Sequence, residues 1–374
     1  MKTVGFGIIG GGLMGREFAT AAARWSHVSE VSARPVVVAV ADPSEQARTW
    51  FTRHDPNIAV YEDYRALLVH PEVEAVYVAV PHRLHEETYL AALRADKHLF
   101  AEKPFGIDLP AAEKICAEAK RRPHLLVRVC SEFPFFPAVQ RMVKLAEENA
   151  FGRLLEVRAG FLHCSDMDPN KPINWKRQVE TNGEYGCMGD LGLHVLHVPL
   201  RLGFKPLDVR AILSNIVDER PDGRGGTAAC DTWDNATLFC QGPDGVPMTF
   251  EMKRMSPGDT NTWYLQIHGT RLSAEFSTHR PKTLRTMPFK SGQPQAWVEE
   301  DLGSVSQYPM VTGAIFEFGF ADAILQMWAA YLDQLGGGTP RFHCATPDEA
   351  LASHRLFTAA LVSHRDQCVV PLTG

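Results

Sequence analysis

Short apolar runs alternate with amphipathic stretches through residue 130 of the chain. Val4–Gly10 is apolar and short, and glycines follow it. Leu13–Arg24 is alanine-rich and predicts a helix. Pro35–Ala41 (PVVVAVA) is a continuous, mostly β-branched run, as a strand buried on both faces requires. Ser44–Thr52 then predicts a helix, Val76–Val80 (VYVAV) a second buried strand, and Leu84–Ala95 a helix. Lys97–Ala101 (strand), Pro110–Arg121 (helix) and Leu125–Cys130 (strand) complete the alternation. Strands that alternate with helices of this length mean βαβ units and a parallel sheet.

After Phe133 the pattern changes. The FPFFP cluster with Pro134 and Pro137 breaks the alternation, and a helix over Ala138–Asn149 leads into segments with a two-residue period. These are Leu154–Phe161, Leu207–Ile216, Ala236–Cys240, Met248–Met252 and Tyr264–His268, separated by turn-rich stretches such as Pro221–Gly226 and Gly242–Gly245. Strand following strand with Gly, Asp and Pro turns predicts an antiparallel or mixed sheet. Helices over Phe316–Leu335 and Thr346–His364 close the chain, with the glycines at 336–338 as stop and turn. The expected fold is therefore α/β. Residues 1–132 are expected to form a doubly wound domain on the parallel sheet, and residues 133–374 an α+β domain on the antiparallel or mixed sheet.

Composition narrows the partners. The 374 residues carry 38 Lys and Arg against 44 Asp and Glu, a net charge of −6. A mildly acidic surface repels nucleic acid and anionic membranes, so neither is expected as a partner. No apolar run approaches the roughly 20 residues that span a bilayer. The N-terminus enters a strand directly, without the apolar stretch and cleavage site of a secretory signal, so a cytoplasmic location is expected. Eight cysteines without a C-x-x-C pair suit reduced thiols, with Cys230–Cys240 as the one bridge to consider.

The glycine-rich turn carries the first chemistry. Gly10, Gly12 and Gly15 in GGGLMG fit G-x-G-x-x-G, directly after a strand and opening a helix, and Asp42 ends the next strand. Gly10 allows the tight turn, Gly12 lets the backbone approach a pyrophosphate, and Gly15 lets helix and strand pack closely. The helix N-terminus, with Leu13 and Met14, offers free N–H groups to the phosphates. Asp42 is placed to accept from the ribose hydroxyls and would repel a 2′-phosphate. NAD is thus favoured, while Arg48 leaves room for NADP.

Ligands of open parallel sheets lie beyond the carboxyl ends of the strands. Pro81-His82-Arg83-Leu84-His85 and Glu102-Lys103-Pro104 occupy two such ends. Further along, Asp190 and His194 in GDLGLH fall one helical turn apart. An Asp so placed can orient an imidazole and make it more basic, which suits proton abstraction from an alcohol near pH 7. His197 adds an H-x-x-H spacing, but no partner with zinc-ligand spacing lies nearby, so no metal is expected.

GIIGGGLMG (7–15), VAD (40–42), PHRLHEETYLAALRADKHLFAEKP (81–104), GDLGLH (189–194) and TPDEALASHRLFTAALVSH (346–364) together resemble the glucose–fructose oxidoreductase, inositol dehydrogenase and rhizopine catabolism (Gfo/Idh/MocA) oxidoreductases. The resemblance covers nearly the whole chain. It implies that Lys103, Asp190 and His194 form the catalytic set and that Pro81, His85, Glu102 and Lys103 line the cofactor. It also implies a Rossmann dinucleotide-binding domain over residues 1–132 and, over residues 133–374, an α+β domain with a large, mostly antiparallel sheet whose open face builds homodimers or homotetramers. The activity implied is hydride transfer between NAD(P) and a secondary hydroxyl or ketone of a sugar, sugar derivative or cyclitol. The alternatives are glycoside cleavage by transient oxidation and elimination, and a non-catalytic sensor of nucleotide or sugar. Asn174-Trp175-Lys176-Arg177 is the expected substrate wall, with Trp175 as a stacking face and Lys176 reaching hydroxyls. Tyr185, His163, Asp166 and Asp168 are further candidates. The chain departs from the family in having His82 where an Asn is usual, no Arg in Ser131-Glu132-Phe133-Pro134, and His197 in place of an Asp.

Overall fold

In the computed structural model, residues 1–303, 305–313 and 315–372 are described. The elements run β1 (Lys2–Ile9), α1 (Leu13–Ala23), β2 (Ala33–Ala41), α2 (Glu45–His54), β3 (Ala59–Tyr61), α3 (Tyr64–Leu68), β4 (Ala75–Val78), α4 (His85–Arg94), β5 (His98–Ala101), α5 (Leu109–Lys120) and β6 (Val127–Val129). There follow α6 (Pro137–Glu147), β7 (Leu154–Leu162), α7 (Val179–Asn182) and α8 (Cys187–Arg201). Next come β8 (Asp208–Ser214), β9 (Glu219–Pro221), β10 (Thr227–Ala229), β11 (Asn235–Gln241), β12 (Pro247–Lys253) and β13 (Thr262–Gly269). The remaining elements are β14 (Leu272–Ser277), β15 (Thr283–Pro288), β16 (Val298–Asp301), α9 (Phe320–Leu335), α10 (Pro347–Asp366) and β17 (Val370–Pro371). The chain divides into two compact units. One comprises Met1–Phe135, Ser306–Gly313 and Phe320–Leu351, and the other comprises Phe136–Val305, Ala314–Gly319 and Ala352–Gly374.

The first unit holds a six-stranded sheet in the order β3-β2-β1-β4-β5-β6, parallel throughout. This is the doubly wound order in which ligands sit where strand order reverses, here between β1 and β4. Local signals set its helices. Ser44 caps α2 through the Ala47 amide (3.3 Å), and Asp108 caps α5 through the Ala111 amide (2.8 Å). Four strands end in register, with Ile9 opposite Val78, Val78 opposite Ala101 and Ala101 opposite Val129. Gly10, Ala79, Glu102 and Cys130 therefore leave the sheet side by side.

Helix α9 belongs to this first unit, not to the second as its place in the chain suggested. Its Trp328 inserts among Phe18, Tyr77 and Phe100, with ring centroids 3.7, 4.8 and 4.3 Å away. Tyr331 stacks on Phe100 at 4.4 Å. The helix begins at Phe320, four residues later than the hydrophobic pattern predicts, and the last strand of the parallel sheet shrinks to Val127–Val129.

The second unit is built on a nine-stranded sheet, β16-β15-β14-β13-β7-β12-β11-β8-β17. Its neighbours are antiparallel except β7 and β12, which run parallel. Alternate residues of β8, β11, β12 and β13 are buried, and α8 packs against β7, β11 and β12. A separate hairpin pairs β9 with β10. β3, β9, β10, β14, β15, β16 and β17 lie where the hydrophobic pattern named no strand.

The strand ends of the first unit are held by buried polar groups. Tyr77 donates to Glu102 Oε1 and Tyr89 to the Glu102 carbonyl, both at 2.7 Å. His85, fully buried, sets Nδ1 2.7 Å from the Pro104 carbonyl and Nε2 2.9 Å from the Val80 carbonyl. Burial lowers His85 to about 4, against the pull of the two carbonyls. Burial and the nearby Glu102 charge raise Glu132 to about 7.

Two tests follow from this packing. Trp328→Ala should lose about 3–5 kcal/mol in denaturant unfolding, because the ring fills the contact between α9 and three strand and helix aromatics. The two buried titrating groups oppose each other. Below 6.5 the unfolded His85 takes a proton that the folded one refuses until about 4, so this group destabilises as pH falls. Folded Glu132 is protonated from about 7 downward and the unfolded carboxyl only from 4.5, so this group stabilises as pH falls. Between pH 7 and 4.5, His85→Gln should therefore gain about 2–3 kcal/mol relative to the parent, and Glu132→Gln should shift in the opposite direction. Unfolding midpoints at the two pH values check both signs.

Candidate active site

In the first unit the glycine-rich turn has the geometry its spacing demands. Gly10 has φ +100°, and a Cβ there would lie 2.3 Å from the Ala79 carbonyl oxygen. A Cβ on Gly15 would lie 2.1 Å from the Gly10 oxygen, so only glycine lets α1 sit this close to β1. Around Gly12 a Cβ would meet nothing within 4 Å. That open side, at the start of a helix that no side chain caps, fits a diphosphate held by backbone N–H groups. Leu13 is exposed and Met14 half-buried beside it.

Asp42 ties the turn to the next strand. Its Oδ2 accepts from the Gly11 amide and its Oδ1 from the Ser44 amide, each at 2.8 Å. Both oxygens keep a further lone pair for ribose hydroxyls. Arg48 folds back onto the same loop, donating to the carbonyls of Asp42 (2.5 Å) and Pro43 (2.9 Å). Its guanidinium is thus engaged with backbone oxygens.

At the neighbouring strand ends, Pro81 and Lys103 are half-buried, whereas His85 and Glu102 are buried. The Lys103–Pro104 peptide is cis. Glu102 Oε2 accepts from the Lys103 amide at 3.2 Å, so the carboxylate is turned to the lysine's own backbone. The His85 nitrogens face two carbonyls of the same loops. His85 and Glu102, read from the sequence as cofactor-lining, thus sit beneath the loops that carry Lys103.

In the second unit, Asp190 and His194 both lie on α8, which is buried from Cys187 to Leu200. Gly186 (φ +55°) turns the chain into the helix, where a Cβ would lie 2.6 Å from the Trp233 amide. Asp190 falls in the first turn, where the helix dipole favours an anion. Trp263 Nε1 donates to the His194 carbonyl at 2.9 Å. The His194 ring meets Phe161 edge-on at 5.4 Å, and the His163 ring lies 4.5 Å from the same phenyl.

The Asp190 carboxylate is held by two cations. Lys176 Nζ lies 3.1 Å from each of its oxygens, and the Arg254 guanidinium contacts it from the end of β12. Lys176 Nζ also stands 5.5 Å over the Trp175 ring. The expected wall therefore divides. Trp175 and Lys176 are half-buried, while Arg177 is 1% exposed and pairs with Asp234 (2.5 Å) and Asp166 (3.1 Å). Although burial pushes the Asp166 carboxyl up, Arg177, Arg254 and Lys171 hold it below its ordinary value. Burial and the adjacent Arg177 lower Arg254 to about 10, which leaves it charged at neutral pH.

Two sequence candidates take other places. Tyr185 is buried, with its hydroxyl 2.7 Å from Thr358 Oγ1, and packs on His354 and Phe357 of α10. Asp168 is exposed and accepts from the Asn170 amide in a local turn. Arg254 and Asp234 were not legible as site residues, since both sit at strand ends far along the chain from Asp190. Among the described residues no group of three or more His, Cys, Asp or Glu side chains could hold a metal ion, and no helix is long and apolar enough to cross a membrane.

Both halves of the chain resemble known proteins. Residues 4–131 match the oxidoreductase family with an NAD-binding Rossmann fold, and residues 139–275 match the GFO/IDH/MocA C-terminal domain. Levoglucosan dehydrogenase of Pseudarthrobacter phenanthrenivorans is 30% identical over 312 residues, 78% of each chain. Inositol 2-dehydrogenase/D-chiro-inositol 3-dehydrogenase of Lacticaseibacillus casei is 29% identical over 174 residues, 46% of this chain and 47% of that one. The solved structure of a levoglucosan dehydrogenase with NADH and L-sorbose superposes over all of both chains with TM-score 0.90 at 24% identity, which speaks to the fold. A nucleotide-binding turn, an E-K-P strand end, a D-x-x-x-H helix and two matching domains make this chain a member of the Gfo/Idh/MocA family of NAD-binding oxidoreductases.

Proposed function

We propose that the chain oxidises a secondary hydroxyl of a sugar, sugar derivative or cyclitol, reversibly. His194 takes the hydroxyl proton in oxidation and returns it in reduction. Asp190 orients His194. Lys103 hydrogen-bonds the reacting oxygen and stabilises negative charge as it develops. Trp175 offers an aromatic face to the ring, and Lys176 reaches its hydroxyls. When bound, NAD supplies the hydride acceptor. Gly10, Gly12, Leu13, Met14 and Gly15 hold its diphosphate, and Asp42 its adenosine ribose. The observation that carries this reading is the spacing of Asp190 and His194 one turn apart on a buried helix, with the Asp190 carboxylate in contact with Lys176 and Arg254. An ionised Asp beside an imidazole is a proton-transfer device, for which a sensor has no need. The relatives named for levoglucosan and inositol support carbohydrate and cyclitol as the substrate class.

Nucleotide binding is assigned to residues 1–132, and substrate binding with self-association to residues 133–374. A homodimer or homotetramer in the cytoplasm, with no nucleic-acid partner, completes the proposal.

A panel of anhydrosugars, hexoses, inositols and sugar acids, assayed with NAD and then NADP, should show net NADH formation with at least one member. His194→Ala and Lys103→Met should each lower kcat about 10²–10⁴-fold and leave NAD affinity within about threefold. Near-parental turnover in both variants would remove the assignment. Asp42→Ala should raise KM for NAD about tenfold or more, from the lost charged hydrogen bonds, and narrow the preference over NADP.

A further inference from the structure

Arg254 is the first residue after β12. Its amide donates to the Asp234 carbonyl (3.0 Å) and to Asn235 Oδ1 (3.2 Å), which fixes the backbone beside α8. The side chain is buried, touches Asp190, and lies 3.8 Å from Asp166. Asp166 in turn pairs with Arg177 and with Lys171 at 3.0 Å. Three carboxylates (Asp166, Asp190, Asp234) thus meet four cations, of which Arg177 and Arg254 are buried and Lys171 and Lys176 are half-buried.

The geometry points to Arg254 as a positioning residue for the proposed Asp190–His194 pair: it keeps Asp190 ionised and in place, and it sets how much negative charge His194 faces. A network meant only to stabilise would close on Arg177, which already joins Asp166 to Asp234. Buried ion pairs are in any case poor sources of stability. Lys176, the other cation on Asp190, has a side chain 32% exposed. On the proposed function it turns toward a substrate hydroxyl. Asp190 would then be a buried carboxylate without charge balance, were Arg254 not behind it. Arg254 also acts on the imidazole. A fixed positive charge beside Asp190 offsets part of the pull that the carboxylate exerts on the His194 proton, so His194 stays neutral at lower pH.

Other titratable or charged groups come from several packed elements. His163, Asp166 and Lys171 lie after β7, Lys176 and Arg177 in the segment before α7, and Asp234 ahead of β11. Cys187, His197 and Arg201 share α8, and His354 lies on α10. All of them are retained in variants of Arg254, so differences from the parent isolate the guanidinium.

The test uses the full chain with ¹⁵N-labelled histidine. The His194 resonance is assigned by its loss in His194→Gln, and its titration is followed in the parent, Arg254→Gln and Arg254→Lys. Arg254→Gln should move the His194 midpoint up by about one pH unit. The acid limb of kcat/KM for sugar oxidation should move with it. Arg254→Lys should restore the midpoint but, lacking the planar fork, lower kcat roughly tenfold with KM for NAD unchanged. An unmoved midpoint in folded Arg254→Gln overturns the role. If that variant does not fold, Arg254→Lys decides: parental kcat overturns the role, and a tenfold loss at unchanged midpoint supports it. The resonance reports the coupling whether or not a sugar is turned over. A parent inactive on every substrate would therefore sink the proposed activity and leave the Arg254 result standing.

Discussion

A carboxylate inside a buried helix must be matched by positive charge, and the second unit is arranged around that requirement. Asp190 lies in the first turn of α8, a helix with no exposed residue from Cys187 to Leu200. The helix dipole helps, but its effect is of order 1 kcal/mol, far below the cost of burying an unpaired ion. Lys176 and Arg254 supply the balance directly. Arg177 and Asp166 hold the surrounding loop so that these cations stay in reach. Arg220, itself buried, donates to the carbonyls of Asp166 and Asp168 at 2.6 Å and pins the same loop. Trp175 and Lys176 stay half-buried above this underpinning, with Lys176 Nζ 5.5 Å over the Trp175 ring.

The first unit meets a different demand, close approach of backbone. Gly10 and Gly15 fall where a Cβ would strike carbonyl oxygen, and Asp42 locks the turn through the Gly11 and Ser44 amides. The loop carrying Lys103 is fixed from below by Tyr77, Tyr89 and His85, each bonding to Glu102 or to a loop carbonyl. Lys103 is thus half-buried on a rigid base of strand ends.

Local pattern made much of this legible. The βαβ alternation, the glycine turn with Asp42, and the four-residue spacing of Asp190 and His194 are all short-range signals, and the main strands and helices of the parallel sheet formed where they pointed, β3 and α3 excepted. Long-range partnership was not legible. Nothing in Phe320–Leu335 says that Trp328 will pack beside Phe18 and Tyr77, some 250 to 310 residues earlier. Burial was hidden for the same reason. Arg177 and Lys176 are neighbours with similar chemistry, yet one is sealed against Asp234 and Asp166 while the other is half-buried on Asp190. The partners of Tyr185 and His85 were hidden too: the Tyr185 hydroxyl meets Thr358, and the His85 nitrogens face the Pro104 and Val80 carbonyls. Arg254 shares no motif with Asp190 and comes beside it only through the packing of β12 on α8.

The central claim is that a neutral His194 takes the alcohol proton as hydride leaves the carbon. Single-turnover formation of NADH by the parent and by His194→Asn, followed across pH 5 to 10, tests it most directly. With His194 as base, the parental rate rises to a plateau as the imidazole loses its proton. The Asn variant is slower by about 10²-fold or more and climbs with hydroxide without a plateau. Equal rates with the same pH profile in both proteins would contradict it.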